Sequence, residues 1–288
     1  MTVYTLPEGE TFNVLLTGDT DFVLEFAGIL DRHDVPFNIL PAMDEMDELD
    51  VELDLVDQQI ADAALDTAEY GPYAQRVIAD VRSNAGTYTH IIDLSVSAHF
   101  SRKISLEIAS SVNPRATVIA SVLTNTATEL GMVANVAQRI VGVGLAPTIM
   151  TTATTIDVAA GLNTKPAHLQ NAVALLVRLG YSTEVVEDRV GLVQIRVLAT
   201  LINEAAFAVM EGLATPEDID KAMKLGVNYP KGLLAWADEI GIGVVTLILD
   251  GLSREYEQER YRPCVLLKQM MRAGWTGKAV GRGFFIYA

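Results

Sequence analysis

An α/β domain with a doubly wound, largely parallel sheet, followed by an all-helical domain, is the fold class that this sequence predicts. Short apolar runs alternate with helical patterns over most of the first two thirds of the 288 residues. This alternation is typical of parallel strands joined by crossover helices. It stops at about Glu187, and helical patterns fill most of the remaining chain. We therefore expect two domains, residues 1–186 and residues 187–288.

The first predicted unit is a strand, a tight turn and a helix over residues 12–28, FNVLLTGDTDFVLEFAG. Such a turn binds a dinucleotide when glycines let the backbone approach the phosphates, usually in a G-x-G-x-x-G run. Here only Gly18 is present, and Asp19 and Asp21 stand where the phosphates would lie. We expect their carboxylates to compete for the amides at the helix N-terminus. The sequence of this turn therefore predicts the strand, turn and helix of a nucleotide-binding-type fold, but not the usual site for the phosphates of a dinucleotide.

The remaining strands of the sheet are predicted by short apolar runs bounded by polar residues. These runs are residues 36–40, 89–95, 116–121, 139–145, 154–160 and 182–187. Helices are predicted near residues 74–82, after the strand at 89–95, and at residues 165–180.

The second domain opens with a long helical pattern over residues 190–212. The next helix has clear start signals, with Thr215 as its N-cap and Pro216 at its first position. Trp236 and Trp275 are interpreted as core or dimer residues. Because such apolar helices are hard to bury in so small a domain, we expect a homodimer through the helical domain. No low-complexity linker separates the domains, which favours a compact junction.

Composition disfavours several classes of partner and site. The net charge of -16 argues against nucleic acid and anionic membranes, which attract basic surfaces. We expect a cytoplasmic protein, since the sequence shows neither a signal peptide nor an apolar run of the ~18 residues that span a membrane. The single cysteine, Cys264, excludes an intrachain disulfide framework, and the histidine spacings suggest no metal site.

An acidic segment without lysine or arginine lies between His33 and Gln75. Its carboxylates include Asp44, Glu45, Asp47, Glu48, Asp50, Glu52, Asp54 and Asp57. A solvated acidic face accounts for this segment, and a cation site or an acidic docking surface stays open as the alternative.

Two strings dominate the C-terminal part of the chain. They are LINEAAFAVMEGLATPEDIDKAMKLGVNYPKGLLAWAD at residues 201–238 and RYRPCVLLKQMMRAGWTGKAVGRGFFIY at residues 260–287. They resemble the helical domain of the L-3-hydroxyacyl-CoA dehydrogenase family, and residues 89–121 resemble its strand, helix and strand more weakly. The resemblance implies a Rossmann-like domain with NAD as cofactor, a helical dimerisation domain, and a cleft between them for an acyl-CoA substrate.

The family's chemistry needs a base for the 3-hydroxyl proton while hydride leaves for NAD, and it uses a histidine oriented by a glutamate. The resemblance places Gly144 at the histidine position and Asp157 near the glutamate position. Thr124 falls at the position of a substrate-contacting serine, and Ile195 at that of an active-site asparagine. Thr124 and Asp157 are therefore the candidate catalytic residues.

The cofactor side of the resemblance is similarly altered. Gly18, Ser95 and Ser121 are the candidate cofactor-binding residues. The family's ribose-binding acid would fall near Leu40 or Pro41, whose side chains accept no hydrogen bond. NAD is therefore implied by resemblance alone, and no metal is implied.

Three interpretations are open. The first is a degenerate family member, which keeps the architecture and the dimer and has little or no ordinary activity. The second is a working 3-hydroxyacyl-CoA oxidoreductase with altered cofactor binding and a base drawn from His99, Asp157 or water. The third is a non-catalytic subunit that partners an active paralogue. The first is favoured because the glycine turn, the histidine and the asparagine are all replaced.

Overall fold

A computed structural model describes residues 11–42, 67–78, 86–96 and 100–287 of the chain. The acidic residues from Asp44 to Asp57 and His99 lie outside these ranges, as do residues 79–82 of the predicted helix at 74–82. The described start of that helix belongs to a 3₁₀ segment, Thr67–Arg76. Gly71 has a non-helical backbone there and Pro72 lacks an amide donor, so an α-helix does not form.

One seven-stranded sheet forms the first domain, in the order β2-β1-β3-β4-β5-β6-β7. Its strands are β1 (Val14–Gly18), β2 (Phe37–Ile39), β3 (His90–Leu94), β4 (Thr117–Ser121), β5 (Ile140–Val143), β6 (Thr155–Ala160) and β7 (Ser182–Val185). Each lies within a run that predicts a strand.

The sheet departs from a fully parallel arrangement at one edge. Strands β1 to β5 are parallel, whereas β6 runs antiparallel to β5, and β7 is parallel to β6. The connection from Gly144 to Thr154 is shorter than the dozen or more residues that a parallel crossover needs. The chain therefore reverses direction at this point.

Helices cover both faces of the sheet, as a doubly wound fold requires. In chain order they are α1 (Thr20–Arg32), α2 (Phe100–Val112), α3 (Ala127–Val133), α4 (Ile149–Thr152) and α5 (Pro166–Arg178). Alternate strand residues point to opposite faces. Leu16 and its neighbours pack with α1 and α5 in one core, whereas Leu15 and its neighbours pack with α2 and α3 in the other.

The second domain is helical in its described residues, apart from isolated bridges near the C-terminus. Its α-helices are α6 (Gln194–Met210), α7 (Pro216–Gly226), α8 (Leu233–Ile240), α9 (Ile242–Tyr256) and α10 (Val265–Arg272). Short 3₁₀ turns occur at Glu259–Tyr261 and Lys278–Val280. The hydroxyl of Thr215 accepts a hydrogen bond from the Asp218 amide at 3.2 Å, so the predicted N-cap of α7 is present.

The two domains share one apolar core. Leu145 and Met150 of the first domain belong to the same buried cluster as Ile195 and Leu234 of the second. The predicted boundary after residue 186 falls in the connection between β7 and α6. The two domains are therefore joined through a packed apolar interface rather than by a flexible linker.

In the described part of the chain, none of the helices combines the length and the apolar character that a membrane span needs. The same ranges contain no group of three or more His, Cys, Asp or Glu residues that could hold a metal ion.

His90 is buried at the start of β3, at the edge of the sheet opposite the carboxyl ends of the parallel strands. Its Nδ1 lies 3.0 Å from the Thr89 hydroxyl, and its Nε2 lies 3.1 Å from the Asn171 carbonyl oxygen. Burial lowers the pKa of His90 to about 4, from an ordinary value of 6.5, although the contact with Asn171 opposes the change. The imidazole is therefore neutral in the folded protein at neutral pH.

The protein should lose stability as the pH falls from about 6.5 to about 4, because the unfolded chain takes up a proton that the folded His90 resists. The loss from this residue is on the order of 3 kcal/mol, at about 1.4 kcal/mol per pH unit. Urea unfolding of the wild type and of His90→Gln across this interval measures it. The variant should show a shallower pH slope, whatever its absolute stability, and equal slopes would contradict the assignment.

Candidate functional site

Gly18, at the end of β1, lets two strands approach closely. Its φ is +126°, and a Cβ there would lie 2.6 Å from both the Leu94 carbonyl carbon and the Ser95 nitrogen. A side chain at this position is therefore excluded. In this structure Gly18 serves the contact between the ends of β1 and β3.

The carboxyl ends of β1, β3 and β4 are linked through the backbone of Val96. The Asp19 carboxylate accepts the Val96 amide at 3.0 Å, and the Thr124 hydroxyl donates to the Val96 carbonyl oxygen at 2.5 Å. Asp19 makes no side-chain capping bond to α1, so the prediction that it would compete for the helix amides is wrong. Burial raises the pKa of Asp19, although the Val96 bond opposes that change.

A buried ion pair lies beside this link. Arg102 Nε donates to one oxygen of Asp93 at 2.7 Å, and Ser95 Oγ donates to the other at 2.6 Å. Arg102 also donates to the Ser121 carbonyl oxygen at 2.5 Å. The hydroxyl of Ser95 is thus committed to the ion pair, whereas that of Ser121 is buried without a hydrogen-bond partner.

The described residues of this crevice do not fit NAD bound in the usual way. An open α/β sheet holds a dinucleotide outside the carboxyl ends of its strands, with the pyrophosphate at a helix N-terminus. Here the carboxylates of Asp19 and Asp21 oppose a pyrophosphate by charge. At the end of β2, Leu40 is buried and Pro41 has no side-chain acceptor for a ribose hydroxyl. The described residues thus lack both the glycine turn and the ribose acceptor at the expected positions.

Gly144 and Ile195, where the resemblance implies a histidine and an asparagine, are neighbours in the structure. A Cβ built on Gly144 would lie 3.7 Å from both Ile195 Cγ1 and Leu192 Cδ1. Glycine and isoleucine can neither take up a proton nor hydrogen-bond a carbonyl through their side chains, so the surroundings of Gly144 on this side are apolar.

Asp157, on β6, caps the first helix of the second domain. Its Oδ2 accepts the amides of Val193 at 3.1 Å and Gln194 at 2.7 Å, at the start of α6. Asp157 is only 5% exposed. Its carboxylate is stabilised there because the helix dipole favours a negative charge at a helix N-terminus. The geometry gives Asp157 a structural role, with no imidazole at Gly144 for it to orient.

An apolar cleft of about 640 Å³ lies beside Gly144 and Ile195, because Ile195 is one of its lining residues. Its walls are formed by α4, α6, α8 and the segment before α8. The lining residues are Ile149, Thr152, Ala153, Val193, Gln194, Ile195, Val197, Leu198, Leu201, Tyr229, Pro230, Lys231 and Trp236. Among these, Lys231 alone is charged, and its ammonium group donates to Glu239. Trp236, interpreted from the sequence as a core or dimer residue, is part of the cleft wall.

Carboxylates also fix the other two helical walls. Both oxygens of Glu25 lie 3.0 Å from the Thr148 amide at the start of α4. Asp220 accepts the amides of Leu234 and Ala235 at 2.9 Å each, at the start of α8. The Asp157, Glu25 and Asp220 contacts join residues far apart in the sequence, which is why sequence reasoning missed these roles.

The helical domain matches a known family model. Residues 191–287 match the model of the 3-hydroxyacyl-CoA dehydrogenase C-terminal domain. The chain is also similar to the probable 3-hydroxybutyryl-CoA dehydrogenase of Bacillus subtilis, at 40% identity over 160 residues, which are 56% of this chain and 55% of that protein. This match spans little more than half the length of the relative.

A second relative and a solved structure are also similar to this chain. The 3-hydroxybutyryl-CoA dehydrogenase of Bradyrhizobium diazoefficiens is 31% identical over 186 residues, which are 65% of this chain and 63% of that protein. The fold is shared with the (S)-3-hydroxybutyryl-CoA dehydrogenase of Ralstonia eutropha, with a TM-score of 0.72 over 97% of this chain and 100% of that one. At 24% identity this likeness shows the fold alone. The predicted fold class is confirmed.

Removal of the α6 cap should destabilise the protein. Asp157→Ala leaves the amides of Val193 and Gln194 without their acceptor, so it should lower the free energy of unfolding by about 1–2 kcal/mol. Asp157→Asn keeps an oxygen acceptor and should lose less. Urea unfolding compares the two variants with the wild type, and an alanine variant as stable as the asparagine variant would contradict the capping role.

Proposed function

We propose that this protein binds an acyl-CoA thioester through its acyl group in the apolar cleft and does not carry out the NAD-dependent oxidation of 3-hydroxyacyl-CoA. The observation that carries the proposal is that Gly144, where the resemblance implies a histidine, has no side chain and lies beside the apolar side chains of Leu192 and Ile195. No proton-transfer group is therefore supplied at this position, while the adjoining cleft is open. This corresponds to the first interpretation of the sequence, a family member that keeps the architecture without the ordinary chemistry.

The described cleft wall supports the absence of acid-base catalysis. A general base must lie within hydrogen-bond reach of the proton that it removes. None of the described residues that line the cleft is His, Asp or Glu, and the ammonium group of Lys231 is held by Glu239. Thr124 keeps its hydroxyl but donates it to the Val96 carbonyl oxygen. Neither candidate catalytic residue, Thr124 or Asp157, is therefore free to replace the missing histidine.

The size and chemistry of the cleft support an acyl ligand. A volume of about 640 Å³ is within the ~300–1,000 Å³ typical of small-molecule sites. The wall is mainly aliphatic, with the aromatic side chains of Tyr229 and Trp236, so each methylene buried there contributes about 0.8 kcal/mol. The names of the relatives specify 3-hydroxybutyryl-CoA, which favours a short acyl thioester.

A homodimer through the helical domain is proposed as well. Among the described residues of that domain, several large apolar side chains are exposed, with Leu213 at 79%, Leu225 at 77% and Val227 at 58%. Exposed apolar surface is typical of contacts between subunits. Sedimentation velocity should give twice the chain mass of 31.2 kDa, and a single species at the chain mass would contradict the dimer.

Ligand binding to the cleft can be followed with Trp236 as the reporter. In a Trp275→Phe background Trp236 is the remaining tryptophan, since the chain has two. Acetoacetyl-CoA should change its fluorescence with saturation. Leu198→Gln should weaken binding about tenfold because it places an amide in the apolar wall. Leu162→Gln, at a residue that is 87% exposed in the first domain and does not line the cleft, is the matched control and should leave the affinity unchanged.

The same preparations should show no NADH binding by calorimetry and no turnover of NADH with acetoacetyl-CoA. Saturable NADH binding with turnover would overturn the proposal in favour of the second interpretation, in which His99 supplies the base, and His99→Ala would then test that residue. Absence of both NADH and acetoacetyl-CoA binding would overturn the ligand assignment. Copurification of an active family member would then favour the role of a non-catalytic subunit.

A further inference from the structure

A strained turn leads into α4, which is one of the helical walls of the cleft. The Ile149 amide donates to the Pro147 carbonyl oxygen at 2.7 Å and so closes a turn with Thr148 at its centre. The backbone angles of Thr148 are φ +61° and ψ -30°. A γ-turn with a positive φ at its centre is rare and strained. A β-branched residue makes it rarer still, because its side chain crowds the backbone at a positive φ.

The side chain of Thr148 does not relieve this strain. Its hydroxyl oxygen is buried and has no hydrogen-bond partner in the described part of the chain. An unpaired buried hydroxyl adds a further cost to the folded state. A conformation of this kind persists only where surrounding contacts enforce it. The structure must therefore hold this turn from outside.

Glu25, on α1, supplies the contacts that hold the turn. Both of its carboxylate oxygens lie 3.0 Å from the Thr148 nitrogen. One of them also accepts the Thr151 hydroxyl at 2.8 Å. A hydrogen bond to a charged acceptor is about twice as strong as one between neutral groups. The Tyr181 hydroxyl holds α4 as well, through the Met150 carbonyl oxygen, but it does not bind the strained residue.

The turn determines where α4 lies. A change of Thr148 from a positive to a negative φ would rotate the chain that follows it, because φ is one of the two soft dihedral angles of a residue. Ile149, directly after the turn, lines the cleft, as do Thr152 and Ala153. Relaxation of the turn would therefore move this wall. Neither Glu25 nor Thr148 lines the cleft, so both act on it through α4.

We propose that Glu25 is a positioning residue for the acyl ligand, because it holds α4 in the place that shapes the cleft. The strain at Thr148 makes the wall dependent on this carboxylate. Without it the turn relaxes, and only a fraction of the molecules keep the wall in place. The apparent affinity for the ligand falls in proportion to that fraction. The ligand part rests on the function proposed above, whereas the dependence of α4 on Glu25 does not.

Affinity for acetoacetyl-CoA, followed by Trp236 fluorescence in the Trp275→Phe background, tests the proposal. Glu25→Ala should weaken binding about tenfold. Addition of Thr148→Gly to Glu25→Ala should restore most of the affinity, because glycine adopts a positive φ without strain and the turn then has no reason to relax. Glu129→Ala is the matched control, since Glu129 is an exposed glutamate on α3 that does not line the cleft, and it should bind as the wild type does.

Restoration by glycine distinguishes positioning from a general loss of structure. Thr148→Gly does not return the acceptor that Glu25→Ala removes, so a variant that binds weakly only because it is less stable would not be restored. Where Glu25→Ala fails to fold, Glu25→Gln replaces it, because it keeps one oxygen acceptor for the Thr148 amide. Its smaller loss of affinity should likewise be restored by Thr148→Gly. Wild-type affinity in the Glu25 variants, or no restoration by glycine, would overturn the proposal.

Amide hydrogen exchange of the ligand-free protein separates this proposal from the proposed function. Glu25→Ala should speed exchange in residues 144–153, whereas Glu129→Ala should not, because exchange reports local opening of the backbone. Equal exchange in the two variants would overturn the dependence of α4 on Glu25, even if acetoacetyl-CoA binds. Faster exchange in Glu25→Ala, with no acetoacetyl-CoA binding by the wild type, would support that dependence and overturn the ligand.

Discussion

Buried or partly buried carboxylates at helix N-termini hold the functional region of this protein together. Asp157 caps α6, Asp220 caps α8, and Glu25 binds the amide that precedes α4. Burying a carboxylate is costly unless backbone donors and a favourable dipole compensate. Because these bonds cross between segments distant in sequence, they fix the three helices as walls of one cleft. The acidic residues that carry them therefore stabilise the positions of the cleft walls.

The placement of α6 has consequences on both of its sides. Its start at the Asp157 cap brings Ile195 against Gly144 and directs Leu198 into the apolar cleft. Neighbouring positions on a helix point in different directions, about 100° apart. Arg196 is consequently not part of the cleft wall, and its guanidinium donates to the hydroxyls of Tyr256 and Tyr261. One side of α6 thus lines the apolar cleft, while another carries an arginine held by two tyrosines.

A different set of contacts joins the carboxyl ends of β1, β3 and β4. The turn after Gly18 carries Asp19, whose carboxylate binds the Val96 amide across the ends of the strands. The hydroxyl of Thr124 completes the link from β4. Two polar side chains at this edge of the sheet are thus engaged with the protein's own backbone.

The sequence by itself determined the strands and the start of α7. Apolar runs bounded by polar residues identify β1 to β7, and Thr215 and Pro216 mark the start of α7, because these signals act over a few neighbouring residues. It also determined that neither Gly144 nor Ile195 has a side chain that can transfer a proton. Only the tertiary structure decided that β6 reverses against β5, that Asp157 caps α6, and that Arg196 and Arg260 meet at Tyr261. Those outcomes depend on hydrogen bonds and charges between residues distant in sequence, which no local pattern of side chains encodes.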